Sequence, residues 1–353
     1  MNPKLKIGLL FGGSSSEKEV SLEGGRNVFQ KLDKGKYEIM PIFIDREHRF
    51  WKVPEFLLLQ NTTADVERLL ATKAERIFYE DLKKLIDFAF IIGHGKYIED
   101  GCLQGLLELQ GISYNGSGVL GSALGMDKYL QRKILAASDV KFPKHIAVEE
   151  KEWREQGNEF IKKVKEKIGF PCVVKPSREG CSTALSIVKE ESDLPKAIAG
   201  AFYWDNRILV EKRISGTEIT ISVLGNYSRR EVLPPTETPW QENIGYLTLQ
   251  DKFLPGGAEM ITPARLSPDL TKKVQETAVK VCEALNLIGY PRIDMFIKED
   301  GEIIVLEPNT LPGITPSTMV FHQAVEIGIS PQDFLDKIIE LGLEAHRSKK
   351  GPL

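Results

Sequence analysis

Apolar runs of strand length alternate with helix-period segments from the start of the chain. Lys6 to Phe11, Tyr37 to Ile44 and Asp87 to Ile92 read as strands, and Val20 to Leu32 carries its apolar residues at helical spacing. That alternation predicts βαβ units in an α/β fold. The first strand empties into Gly12-Gly13-Ser14-Ser15-Ser16-Glu17, a flexible turn with N-capping chemistry, so a helix is expected to start at the carboxyl edge of a parallel sheet, where ligands bind. Gly116 to Asp139 reads as one long helix with Met126, Leu130, Ile134 and Leu135 on its apolar face, and a domain boundary is expected near its start.

From Ile168 the pattern turns to paired β segments. Pro171 to Lys175 and Leu185 to Val188 flank the polar loop 177–182 as a hairpin would, and Arg207 to Glu211, Glu218 to Leu224 and Glu231 to Leu233 read as further strands. A helix over Thr271 to Leu287 then leads to Pro291–Lys298 and Glu302–Glu307, two strands joined by a turn holding the favoured pair Asp300-Gly301.

Length changes the picture first: 353 residues suffice for two or three domains with separate cores. A net charge of −3 lacks the basic excess that phosphate-backbone binding needs, which argues against nucleic acid as a partner. No apolar stretch approaches the ~18 residues of a membrane span, and the first residues run straight into a strand without a signal-peptide pattern, so a cytoplasmic protein is expected. Cys102, Cys172, Cys181 and Cys282 are scattered, with no CxxC pair, and point to neither a zinc site nor a disulfide framework.

Candidate chemistry lies in the last strand pair. Alternation puts Arg292 and Asp294 on one face, and Glu307 and Asn309 on one face of the neighbouring strand. Few, hard oxygen donors that leave room for phosphate suit Mg²⁺ bound with a nucleotide. The same spacing also describes a solvated sheet face with a cross-strand ion pair, and spacing does not choose between the two. The loop after Lys175 offers small residues and a lysine at its base, as a phosphate-covering hairpin would, or as an ordinary surface hairpin would. Lys128 on a helix and His94 after a strand end are open in the same way, to ligand contact or to local solvation and hydrogen bonding. Gly12-Gly13 matches no GxGxxG fingerprint.

Taken in order, Phe11-Gly12-Gly13 with Ser16 to Leu22, His94-Gly95 with Glu99-Asp100-Gly101, Met126-Asp127-Lys128, Val174 to Gly180, Glu211-Lys212 with Glu218, Arg292-Ile293-Asp294 and Glu307 to Gly313 resemble the ATP-grasp carboxylate–amine ligases, specifically the D-alanine:D-alanine ligase family. The resemblance runs from about Lys6 to about Leu343. It implies an ATP-grasp fold of three α/β domains with ATP between two antiparallel sheets: a Rossmann-like substrate domain at 1–117, a central subdomain at 118–211, and a C-terminal subdomain with lid and metal site at 212–353. It assigns Asp294, Glu307 and Asn309 to two Mg²⁺ ions, with Mn²⁺ as an alternative, and Lys128, Lys175 and Lys252 to ATP phosphates. It places Glu211, Lys212, Ile214 and Glu218 around the adenosine and Glu19 on the ammonium of the first D-alanine. Arg292 and the Gly313 backbone take the oxyanion, and Ser317 or Thr318 the second carboxylate, with His94 as a further substrate contact. The segment 241–257 is expected to be a lid, and the family's usual state implies a homodimer. Cys181 stands where the family usually has Ser, Phe253 where it often has Tyr, and Thr318 where serine is common, which bears on the second substrate: D-alanine, or D-lactate or D-serine.

Overall fold

The computed structural model describes residues 3–180, 184–227, 229–238 and 260–349. The N-terminal part holds β1 (Leu5–Gly12), α1 (Lys18–Lys31), β2 (Tyr37–Ile44), β3 (Phe50–Lys52), α2 (Thr63–Lys73), β4 (Glu75–Ile77), α3 (Leu82–Leu85), β5 (Phe88–Ile91), α4 (Cys102–Leu109) and β6 (Ser113–Tyr114). Its sheet has the order β4-β3-β2-β1-β5-β6. The pairs β1–β2, β1–β5 and β5–β6 are parallel, as the βαβ pattern predicts, while β3 and β4 extend one edge in antiparallel fashion. Ile7 to Phe11 and the whole of β5 are buried without alternation, because helices cover both faces of the parallel strands.

Two helices follow, α5 (Val119–Met126) and α6 (Lys128–Ala137), where one was expected. Asp127 breaks them: its backbone is extended (φ −88°, ψ 96°) and its Oδ1 caps α6 by accepting the N–H groups of Tyr129 (3.0 Å) and Leu130 (3.1 Å). The break also turns the faces. Leu130 is exposed, and Gln131, Arg132 and Leu135 point inward instead. The turn before α1 differs as well, since its N-cap Glu17 makes no side-chain cap, and Ser21 Oγ accepts from the Gly12 N–H instead (2.9 Å).

The second sheet is antiparallel, in the order β7-β10-β8-β9, from β7 (His145–Glu149), β8 (Cys172–Pro176), β9 (Ser186–Val188) and β10 (Arg207–Lys212), with α7 (Glu150–Lys167) and α8 (Leu194–Phe202) packed on it. The third is also antiparallel: β12 (Arg229–Val232), β11 (Thr217–Asn226), β14 (Arg292–Ile297) and β15 (Ile303–Asn309), with β13 (Thr236–Thr238) on β11. Against it lies α9 (Pro268–Ala284), whose Val274, Ala278 and Val281 join Ile219, Ile221, Ile293 and Met295 in one core. The last helices, α10 (Met319–Glu326) and α11 (Pro331–Arg347), return to the N-terminal part. Phe321, Phe334, Leu335 and Ile338 belong to the same apolar cluster as the strands β1, β2 and β5. Among the described residues no helix is long and apolar enough to cross a membrane.

Candidate active site

The register of β14 and β15 sets Arg292 opposite Asn309 and Asp294 opposite Glu307, with an irregularity just after Asp294. All four side chains therefore meet at one end of the strand pair. Arg292 donates from Nε and Nη2 to the two oxygens of Asp294 (2.9 and 2.8 Å), Thr220 Oγ1 of β11 donates to Oδ1 (2.9 Å) and Asn309 Nδ2 to Oδ2 (3.2 Å). An ion pair is present, as one reading of the spacing had it. It runs along one strand, however, and both partners are buried, so this is no solvated face. Among the described residues no three His, Cys, Asp or Glu side chains form a metal cluster. The donor set is two carboxylates and one amide, oxygen only, which fits a Mg²⁺ that draws its other ligands from phosphate and water.

Lysines face these acids. Lys128, first residue of α6, reaches Glu307 Oε2 (3.1 Å) and donates to the carbonyl of Glu179 in the loop after β8 (2.6 Å). The break at Asp127 is what aims it, since the Asp127 carboxylate also takes the Ser177 hydroxyl (2.9 Å) and the Lys128 N–H donates to the Ser177 carbonyl (3.0 Å). Lys175 of β8 lies 2.7 Å from Glu211 Oε2 of β10, and Arg132 of α6 holds the other oxygen, Oε1 (3.0 Å). Burial pushes the Glu211 carboxyl up, but the charges of Arg132 and Lys175 outweigh it and hold the group down at about 2. Burial likewise pushes Lys175 below the usual lysine range against the pull of Glu211, with the Arg132 and Lys128 charges adding to the decrease. Beside this cluster opens a cleft of about 910 Å³ lined by Phe142, Lys144, Lys212, Ile214, Gly216 and Lys298. Of the residues expected around an adenosine, Lys212 and Ile214 line the cleft, Glu211 is buried beside them, and Glu218 is buried on β11.

The N-terminal part contributes the opposite wall. His94, in the loop after β5, is buried with Nδ1 3.9 Å from Glu99 Oε2. Burial opposes its charge, but the Glu99 carboxylate and the charge of Glu17 outweigh that and raise its pKa. Glu17 is itself buried, and a Cβ placed on Gly180 would lie 2.8 Å from its Oε1 and 3.8 Å from Glu99 Oε1. Glu17, Glu99 and His94 thus converge on the phosphate-side loop. Glu19 does not. It is exposed, and its carboxylate is taken by the hydroxyl (2.7 Å) and N–H (2.8 Å) of Thr63 at the start of α2. Two residues along a helix are a rotation of about 200°, so when Glu17 faces the core with Ser21, Glu19 faces away. The periodicity of α1, with Val20, Ser21, Gly24 and Val28 inward, is the signal that could have singled out Glu17.

Gly313 is buried in the loop after β15, and that loop is pinned twice: Thr318 Oγ1 donates to the Gly313 carbonyl (2.7 Å) and Asn27 Nδ2 of α1 to the Ile314 carbonyl (2.8 Å). The Thr318 hydroxyl proton is therefore spent on the loop, and neighbouring Ser317 is half-buried. A cavity of about 20 Å³ marks where the three parts meet, walled by Glu99, Lys128, Gly180, Glu307 and Asn309. Cys181, Lys252, Phe253 and the expected lid at 241–257 lie outside the described residues.

Two antiparallel sheets that flank a nucleotide-sized cleft, each sending charged groups to the same end of it, make this an ATP-grasp fold, and the chain an ATP-dependent ligase. The model of the D-ala D-ala ligase N-terminus matches residues 6–117 and that of the D-ala D-ala ligase C-terminus residues 134–340. The chain is 38% identical to a D-alanine–D-alanine ligase of Syntrophobacter fumaroxidans over 97% of its own length and 98% of the relative's, and 32% identical to one of Geobacillus thermodenitrificans over 98% of both. Among solved structures it resembles the VanG D-Ala:D-Ser ligase of Enterococcus faecalis (TM-score 0.84, 30% identity, 96% of this chain and 100% of that one). It also resembles the D-alanine–D-alanine ligase of Bacillus anthracis complexed with ATP (TM-score 0.74, 30% identity, 98% and 100%). The chain belongs to the D-alanine:D-alanine ligase family.

Proposed function

We propose that this protein activates the carboxylate of one D-alanine with ATP and joins it to the amine of a second, supplying the D-alanyl-D-alanine unit of peptidoglycan. The observation that carries this reading is the group of buried Arg292 and Asp294 with half-buried Glu307 and Asn309, facing Lys128 across the strand end. A carboxylate is a poor electrophile, so it must first accept the γ-phosphoryl of ATP, and the spreading charge is met by Lys128 and Lys175. Asp294, Glu307 and Asn309 would hold two Mg²⁺ ions, which neutralise phosphate charge when bound. Glu17, supported by His94 and Glu99, receives the ammonium of the first D-alanine. The second amine attacks the acyl phosphate carbon, Arg292 and the Gly313 N–H stabilise the oxyanion, and phosphate leaves. Ser317 receives the second carboxylate. We assign these steps to units 1–117, 118–211 and 212–353 of a cytoplasmic homodimer.

The likeness to a D-Ala:D-Ser ligase favours one second reading, in which the acceptor is D-serine or D-lactate. The test is purified protein with ATP, Mg²⁺ and D-alanine, alone and in competition with D-serine and D-lactate, followed by phosphate release and product mass. D-alanyl-D-alanine formed with one ADP and one phosphate is the expected result. A dominant mixed product moves the acceptor to the second reading, and no phosphate release with D-alanine overturns both.

A further inference from the structure

Arg132 is the largest fully buried side chain among the described residues, and nothing in the proposed chemistry uses it. It lies one turn beyond Lys128 on α6, so the two share a helix face. Its Nε and Nη2 both donate to Glu211 Oε1 (3.2 and 3.0 Å), and Nη2 also donates to the carbonyl of Leu306 (2.6 Å), the residue before Glu307. The guanidinium stacks 5.4 Å from the centroid of the Phe142 ring, which lines the nucleotide cleft. Its Nη1 is buried with no hydrogen-bond partner among the described residues. A buried arginine is costly, and a well-packed apolar residue of similar volume is often the more stable choice. The charge count shows what it gives in return. Without Arg132, the Glu211 carboxylate would be matched by Lys175 alone, which lies 2.7 Å from it. With it, one carboxylate is shared between two cations, and a unit of positive charge is left for a phosphate.

We propose that Arg132 is a positioning residue for the nucleotide: it neutralises Glu211 so that the Lys175 ammonium stays available to ATP phosphates, and it ties β10 to β15 at the base of the cleft. It touches no substrate itself. The proposal rests on the ATP-dependent reading above, so nucleotide affinity is measured directly, by calorimetric titration of the full chain with ATP and Mg²⁺ without amino acid, beside steady-state kinetics. Arg132→Met is expected to weaken ATP binding roughly tenfold or more, with kcat at saturating ATP and the KM for D-alanine changed by no more than about threefold. Arg132→Lys, which keeps the charge, should recover most of the affinity.

In the Glu211→Gln background the neutral Arg132→Gln should weaken ATP by no more than about threefold further, because the charge that Arg132 offsets is gone and only its bond to the Leu306 carbonyl is lost. This pair keeps the test open should Arg132→Met fail to fold. The proposal is overturned if Arg132→Met binds ATP like wild type, if Arg132→Lys is as impaired as Arg132→Met, or if Arg132→Gln weakens ATP tenfold on top of Glu211→Gln. Wild type that binds ATP but makes no dipeptide refutes the ligase reading and leaves this inference to the variants.

Discussion

Glu17 and Glu19 carry the same side chain two positions apart, and the helix separates their fates. One is buried at the meeting of His94, Glu99 and Gly180; the other is exposed and fastens α1 to α2 through Thr63. Glu17→Gln should therefore raise the KM for D-alanine by about 10- to 100-fold, the effect of removing a charged partner from a substrate ammonium. Glu19→Gln should leave kcat/KM within about twofold and lower stability by about 1 kcal/mol through the weakened contact with Thr63. Steady-state kinetics and thermal unfolding of the two variants check this, and a reversed pattern would return the role to Glu19. At this scale the placement of the strand-borne side chains was legible in the sequence. Arg292, Asp294, Glu307 and Asn309 follow from a period of two, which admits one arrangement once the pairing is fixed. Thr318 was less legible, because what its hydroxyl does depends on the Gly313 carbonyl that the loop's path brings to it.

Among the elements, β1, β2, β5, β8 to β12, β14 and β15 and the helices α1 and α9 lie where apolar spacing places them, within a few residues at their ends, while the short strands β3, β4, β6, β7 and β13 carry too few residues to show a period. The segment 116–139 departs because periodicity reports faces and is blind to a single residue that leaves the helix. Asp127 does so, and its side chain caps the helix that follows. The cap fixes the first residue of α6, which is Lys128, the residue proposed to meet the ATP phosphates. Asp127→Ala should cost about 1 kcal/mol, typical of a lost N-cap, and the Ser177 hydroxyl would lose its acceptor as well. The KM for ATP should rise several-fold while the KM for D-alanine holds. Chemical denaturation with kinetics for both substrates checks this, and an equal rise in both constants would show that the cap supports the fold alone.

For the whole molecule, the return of α11 to the N-terminal sheet joins the two ends of the chain. Phe334, Leu335, Ile338 and Ile339 share a core with β1, β2 and β5, and Lys36 reaches Asp336 (2.5 Å). Gly342 marks the closest approach, where a Cβ would run into the Tyr114 carbonyl and the Phe88 ring. Gly342→Ala should destabilise by about 1–3 kcal/mol, the usual cost of overpacking a tight contact, and lower the melting temperature. An unchanged melting temperature would mean that the two elements separate at little cost. The sequence by itself determined the longer strands, the hairpin and its Asp-Gly turn, and the strand faces that carry Asp294 and Glu307, because each is set by spacing within a few residues. The ordered motifs carried the family. Tertiary structure alone decided that Glu19 is held by Thr63 of α2, that Arg132 is shared between Glu211 and the Leu306 carbonyl, and that the last helices pack on the first sheet. Those outcomes depend on contacts between residues tens to hundreds of positions apart, and local spacing holds no information about which of many apolar or charged partners a side chain will meet.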